Sequence, residues 1–190
     1  MNLANGLVST VSTAAFGVGG KGKSDVQNVS RFGIIYALCD VDSTILDGLA
    51  RSYKTEHNFS DYREMLDRLG DRIDAVTISV PDHNHAVMAS KAMKMGKHVY
   101  CQKPLTHSIH ETRVLTEYAR QKRLVTQMGI QIHSQKVYRQ AVALVQSGVI
   151  GKAGTLAQGT TPIIMLDSIS SLASRLIMAS GISTRDFSIT

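Results

Sequence analysis

The sequence predicts a doubly wound α/β fold, a parallel sheet covered by helices on both faces. Three observations carry that reading. Short apolar runs alternate with longer segments of helical spacing between residues 10 and 150. The runs are continuously apolar rather than strictly alternating, as strands buried on both faces must be. Aromatics make up only 5% of the chain and tryptophan is absent, which favours an aliphatic α/β core over a β-sandwich.

The first strand is Thr10–Phe16, diluted by Ser12 and Thr13, and it runs into the glycine-rich GVGGKG that opens a helix. Gly33–Cys39 (GIIYALC) is the second, ending at Asp40. Ser60-Asp-Tyr-Arg then starts a helix with Met65, Leu66 and Leu69 on its apolar side. Ile73–Val80 is β-branched and stops at Pro81. The stripe of Ala86, Ala89 and Met93 marks a helix that ends near Gly96, a natural residue for the position after a helix. His98–Cys101 is a short strand. Ser108-Ile-His-Glu111 is a capping box, in which the hydroxyl satisfies a first-turn N–H and the glutamate reaches back. Behind it, Leu115, Tyr118 and Ala119 can face the sheet, and Leu124–Met128 closes the strand series. Strand–helix–strand units of this length require parallel pairing.

The division expected is a lead over 1–9, a dinucleotide-binding domain over 10–152, and a poorly organised tail over 153–190. The tail carries only Asp167, Arg175, Arg185 and Asp186 as charges, with one candidate strand at Thr161–Leu166 and one candidate helix at Ser170–Met178.

Composition excludes several classes of function. The net charge of +6 has no basic run longer than Lys122-Arg123, so a nucleic-acid partner is not expected. No apolar stretch approaches the ~20 residues of a membrane span. The first twenty residues lack the basic start of a signal peptide. Cys39 and Cys101 form no CxxC pair and read as small buried hydrophobes of a reducing compartment. Cytoplasmic localisation is the expectation.

Chemistry concentrates at the ends of the predicted strands. Gly17, Val18, Gly19, Gly20 and Gly22 lie in a G-x-G-x-x-G between strand and helix, where glycines allow a tight turn, close approach of a pyrophosphate, and close helix–strand contact. Backbone N–H groups and the helix dipole favour the phosphates there. Asp40 closes the next strand and can accept hydrogen bonds from a ribose 2′-hydroxyl. Its charge repels a 2′-phosphate, so NAD is favoured over NADP. The loop Val80-Pro-Asp-His-Asn-His85 overlooks the same edge, with Val80, Pro81, His83 and His85 placed to touch cofactor or substrate, or one histidine to cap the next helix. His83 and His85 resemble an HxH pair, but no third ligand has recognisable spacing, and no metal site is assigned. Lys103 follows the next strand at the ligand edge, and Pro104 restricts the chain's exit. From position alone it is equally a solvent-facing loop lysine.

The ordered set GVGGKG, ALCDVD, DAVTISVPDHNHA, GKHVYCQKPLTHS and VTQMGIQIHS, from about Ala14 to Lys152, resembles the N-terminal half of the Gfo/Idh/MocA oxidoreductases. The resemblance implies a Rossmann domain that holds NAD(P) and a hydride transfer to or from a sugar or cyclitol hydroxyl. It matches Lys103 to the family's lysine beside the nicotinamide, which hydrogen-bonds the reacting hydroxyl. His85 matches a loop position near the nicotinamide, while Gln127 and His133 fall at the mouth of the substrate site. Gln102 stands where the family usually has glutamate, next to the cofactor-side lysine, and loss of that charge favours deprotonation of Lys103. Family members continue beyond a GxIGK-like helix end, here Gly148–Lys152, into a second α/β domain that carries the substrate pocket and dimer face. Ala153–Thr190 does not match it, so a truncated chain of weak or no activity is implied, with a homo-oligomer expected only where that domain is present. Two alternatives stand beside the dehydrogenase: a catalytically inactive NAD-binding module or subunit, and an NAD-dependent relative that cleaves glycosides.

Overall fold

The computed structural model describes residues 10–148. The lead over 1–9 and the tail, with its candidate strand and helix, lie outside the described residues. The chain divides into one unit ending at Gly129 and a second beginning at Ile130.

In the first unit, β1 (Val11–Phe16), β2 (Gly33–Cys39), β3 (Asn58–Phe59), β4 (Ala75–Ile78), β5 (His98–Gln102) and β6 (Thr126–Gly129) form one sheet. Their order is β3-β2-β1-β4-β5-β6, and every neighbouring pair is parallel. The chain works outward from β1 to β3, returns to the middle at β4, and works outward again to β6. The switch therefore falls between β1 and β4, where diverging connections leave a crevice beyond the strands' carboxyl ends. Helices α1 (Gly20–Val29), α2 (Ser43–Tyr53), α3 (Tyr62–Leu69), α4 (His85–Lys94) and α5 (Ile109–Gln121) fill the connections. In the second unit a short turn of helix at 131–134 leads into α6 (Lys136–Gln146).

The doubly wound expectation holds because the sheet has a core on each face. One gathers Phe16, Cys39, Met65, Leu66, Ile78 and Met93, and the other Val18, Val26, Leu38, Leu46 and Leu49. In β1 the alternation is simple, with Ala14 and Phe16 in the first core and Ala15 in the second. In β2 it is broken. Thr13 pairs with Ile35 but Ala14 pairs with Ala37, so Tyr36 is an extra residue in the ladder. A bulge of this kind shifts side-chain phase by one. Ile35 and Leu38 thereby share one core while Ala37 and Cys39 face the other.

The helix signals act as the sequence suggests. Ser108 Oγ accepts from Glu111 N while Glu111 Oε2 accepts from Ser108 N at 3.0 Å, completing the capping box of α5. Gly96 has φ +78 just after α4, and its N–H bonds Met93 O. Strand bounds differ by small amounts. Ile73 and Asp74 precede β4 proper, β5 extends to Gln102, and β6 begins two residues later than expected. The two-residue edge strand β3 carries too little sequence for a periodic signal.

Candidate functional site

The turn after β1 is built from close backbone contacts. Gly17 has φ +74, and a Cβ there would sit 2.4 Å from Ser79 O. A Cβ on Gly22 would come within 1.9 Å of Gly17 O. Glycine at these two positions lets α1 fold directly onto the turn and the turn onto the end of β4. Helix α1 then starts at Gly20 with no side-chain cap and no acidic residue in its first turn. The partial positive charge of such a helix start favours an anion. Gly19 lines the cleft beside it, and Gly20 has φ +47 with nothing near its missing side chain. Val18 contributes main chain only, since its side chain is fully buried.

Asp40 is tied to this turn. Its Oδ2 accepts from Val18 N at 2.7 Å and Gly19 N at 3.3 Å, and its Oδ1 accepts from Asp42 N at 3.0 Å. Asp42 in turn caps α2 through Thr44 N and Ile45 N. The carboxylate at the end of β2 is therefore oriented by backbone donors rather than loose at the surface. Asp40 and Gly17 share a cleft of about 640 Å³ with Ile45, Arg63, Val80 and Pro81. Across it, Arg63 makes a forked ion pair with Asp61. The side-chain hydrogen bond from Arg63, aided by Arg63 N, holds the Asp61 carboxyl below the usual carboxylate range. Cys39 also lines the cleft; burial first, then the charges of Asp61 and Asp40, pushes its thiol up to about 12.

The loop after β4 separates its two histidines. His83 is exposed, with Nε2 3.1 Å from Asn84 Nδ2. His85 is 1% exposed, with Nε2 2.9 Å from Val80 O and Nδ1 2.5 Å from Pro104 O. It ties the β4 loop to the β5 loop from beneath. Among the described residues no three His, Cys, Asp or Glu side chains converge as metal ligands.

At the end of β5, Lys103 is exposed and its ammonium has no side-chain partner among the described residues, while the Lys103–Pro104 peptide is cis. Gln102 is the opposite case. It is 7% exposed, and its Nε2 donates to Asp25 Oδ2 at 2.8 Å. Gln127 is exposed on β6 and donates to Met128 O. His133 belongs to the second unit and stacks on Tyr138 at 5.2 Å.

Sequence reasoning missed Asp25, Ser79 and Arg63. Asp25 had a readable signal. Gly22, Asp25 and Val26 are spaced to share one helix face, and all three are buried. Arg63 had none, because α3 reaches the cleft only through tertiary packing.

The residues present fit a dinucleotide. The turn has room only for glycine where it packs on Ser79 and on α1, its helix end has no side-chain cap, and an oriented carboxylate stands at the neighbouring strand end. Comparison with known proteins agrees. A profile of the GFO_IDH_MocA family, an oxidoreductase family with an NAD-binding Rossmann fold, matches residues 12–130. The chain is 31% identical over 147 residues to the uncharacterized oxidoreductase YrbE of Bacillus subtilis strain 168, covering 76% of this chain and 42% of that protein. It is 33% identical over 104 residues to the NAD(+)-dependent scyllo-inositol 2-dehydrogenase of the same organism, covering 55% of this chain and 30% of that one. The structure is similar to that of scyllo-inositol dehydrogenase from Lactobacillus casei with bound NAD(H) and scyllo-inositol. The TM-score is 0.67 at 28% identity, over 75% of this chain and 43% of that one. The chain thus spans less than half the length of each of these relatives.

Proposed function

The chain belongs to the GFO_IDH_MocA oxidoreductase family, and from that premise we propose that it binds NAD at the β1–β4 crevice and serves hydride transfer at a sugar or cyclitol hydroxyl. The observation that carries the reading is the glycine turn held by Asp40 at the sheet's switch point, with Lys103 exposed at the end of β5 in the same parallel sheet and without a side-chain partner among the described residues. The turn of Gly17, Val18, Gly19, Gly20 and Gly22 would seat the pyrophosphate at the start of α1, with the Gly20 N–H as a donor. The N–H groups of Gly17, Val18, Gly19 and Gly22 hold the turn itself together through Cys39 O, Asp40 and Gly19 O. Asp40 would take the ribose hydroxyls and disfavour NADP. Val80, Pro81 and His83 would border the nicotinamide half, with His85 and Gln102 supporting it from below. When bound, the cofactor supplies the hydride acceptor. Lys103 Nζ would orient the substrate oxygen and hold its proton, help of a kind worth about 10²–10⁴-fold. Gln127, on β6, would serve the substrate side.

The reading takes residues 10–152 as the dinucleotide-binding domain and puts the protein in the cytoplasm, supported by two free, buried cysteines. No helix among the described residues is long and apolar enough to cross a membrane. It includes no nucleic-acid partner, and self-association only through a second domain of the family's kind.

Fluorescence titration of the full chain tests the cofactor assignment. NADH should bind at least tenfold more tightly than NADPH. Asp40→Ala should weaken NADH about 10–100-fold, the worth of hydrogen bonds to a charged group. Absence of saturation by NADH into the millimolar range overturns the reading. With NAD and a panel of inositols and aldoses, Lys103→Met should abolish NADH production and leave NADH affinity within about threefold. Turnover of aryl glycosides without net NADH would instead support glycoside cleavage.

A further inference from the structure

Helix α1 carries a buried carboxylate that the dinucleotide reading does not use. Asp25 is 4% exposed and lies on the face turned toward the sheet. Its Oδ1 pairs with Lys21 of the same helix. Its Oδ2 accepts from two strand ends at once, Ser79 Oγ after β4 at 2.7 Å and Gln102 Nε2 on β5 at 2.8 Å. Ser79 is also the residue whose carbonyl backs Gly17. One carboxylate oxygen therefore joins the helix of the glycine turn, the strand end behind the turn, and the residue before Lys103.

The amide of Gln102 has little freedom. A Cβ on Gly129 of β6 would lie 2.7–2.8 Å from its Nε2, Oε1 and Cδ, so the amide lies against bare backbone. An ionised carboxylate only accepts, which turns Nε2 rather than Oε1 toward Asp25. Among the described residues, the titratable groups in contact with Asp25 and Gln102 are Lys21 from α1 and Tyr100 from β5. Tyr100 Oη lies 3.3 Å from Gln102 Nε2, and its pKa is raised by burial and then by the Asp25 charge.

We propose that Asp25 and Gln102 are a matched acceptor–donor pair that positions the Lys103 strand end against the glycine turn, and that glutamine stands at 102 because Asp25 already supplies the carboxylate. Glutamate at 102 would set two carboxylates within hydrogen-bond distance where water is largely excluded. Such a pair must share a proton or move apart. Gln102 is thus a positioning residue, acting through the backbone it fixes. The positional role rests on the NAD reading, whereas the pairing does not.

A melting-temperature cycle without cofactor, using the full chain at pH 5 to 9, tests the pairing. Gln102→Glu should melt about 5–10 °C lower at pH 8, where both carboxylates ionise, and recover toward pH 5 as a shared proton restores the donor. Asp25→Asn with Gln102→Glu, which reverses donor and acceptor, should regain at least half of that loss and flatten the pH dependence. Gln102→Met removes the donor without adding charge and should melt lower with no added pH dependence, so the pairing stays testable if Gln102→Glu does not fold. A Gln102→Glu melt equal to wild type at pH 8, or a double variant no more stable than Gln102→Glu alone, overturns the pairing. In NADH titrations Gln102→Glu should lose about tenfold in affinity at pH 8 and the double variant should return to within about threefold. Unchanged affinity across all variants overturns the positioning role. If the wild type itself fails to bind NADH, the cofactor reading fails, while the melting cycle still decides the pair.

Discussion

Gly22→Ala isolates how tightly α1 sits on the glycine turn. Gly22 is helical, so alanine there adds no backbone strain and even improves intrinsic helix propensity by up to about 1 kcal/mol. The cost is steric. The new Cβ would lie 1.9 Å from Gly17 O and 2.7 Å from Gly17 C. A carbon–oxygen contact is comfortable at about 3.3 Å, so helix and turn must separate by about 1.4 Å. The obstacle is a backbone carbonyl, which cannot rotate away as a side chain can. Overpacking of this sort costs about 1–3 kcal/mol, and the rigid neighbour argues for the upper end, a fall of roughly 6–12 °C in Tm. The same displacement moves Gly17–Gly19 away from Asp40 and distorts the turn proposed to seat the pyrophosphate, so on that reading NADH affinity should fall at least tenfold. Two glycines serve as controls. Gly48→Ala in α2 meets nothing within 4 Å and should raise stability by about 0.5–1 kcal/mol. Gly20→Ala, at φ +47 in open space, should cost only about 1–2 kcal/mol of left-handed strain. Urea denaturation followed by circular dichroism, paired with NADH titration, reads all three. A Gly22→Ala protein as stable as wild type with unchanged NADH affinity would refute the steric account.

Burial pushes the thiols of both Cys39 and Cys101 up to about 12, so neither should react with a disulfide reagent at pH 8 in the native protein, and both should react once urea unfolds it. Rapid labelling of either thiol under native conditions would contradict their burial. Glu111 is held below its ordinary 4.5 by the N–H groups of Ser108 and His107. A lowered folded pKa contributes stability that is present above 4.5 and is lost as pH falls through the folded value. Glu111→Gln should therefore melt below wild type at neutral pH and converge with it in acid, as scanning calorimetry across pH 3 to 7 would show.

The strand pattern was legible because strands buried on both faces leave continuous apolar runs. Gly33–Cys39 appears in the structure with the same bounds, and the capping box at Ser108–Glu111 forms with both of its hydrogen bonds. Both signals are local, set by residues a few positions apart. The glycine spacing of the turn was readable for a related reason, since a forbidden Cβ leaves its mark on residue identity. The bulge at Tyr36 was not readable, because the extra residue is defined only against the register of β1.

Residue identity alone therefore determined the fold class, the glycine turn, and which strand ends carry polar chemistry. The tertiary structure decided what those polar groups do. Asp40 meets the N–H groups of its own glycine turn, His85 sits under two loops it joins, and Asp25 bonds Gln102 from 77 residues away. Local sequence reports propensity and burial over a few residues. A hydrogen-bond partner is chosen by whatever the packed sheet brings within 3 Å, and only the assembled strand order determines that.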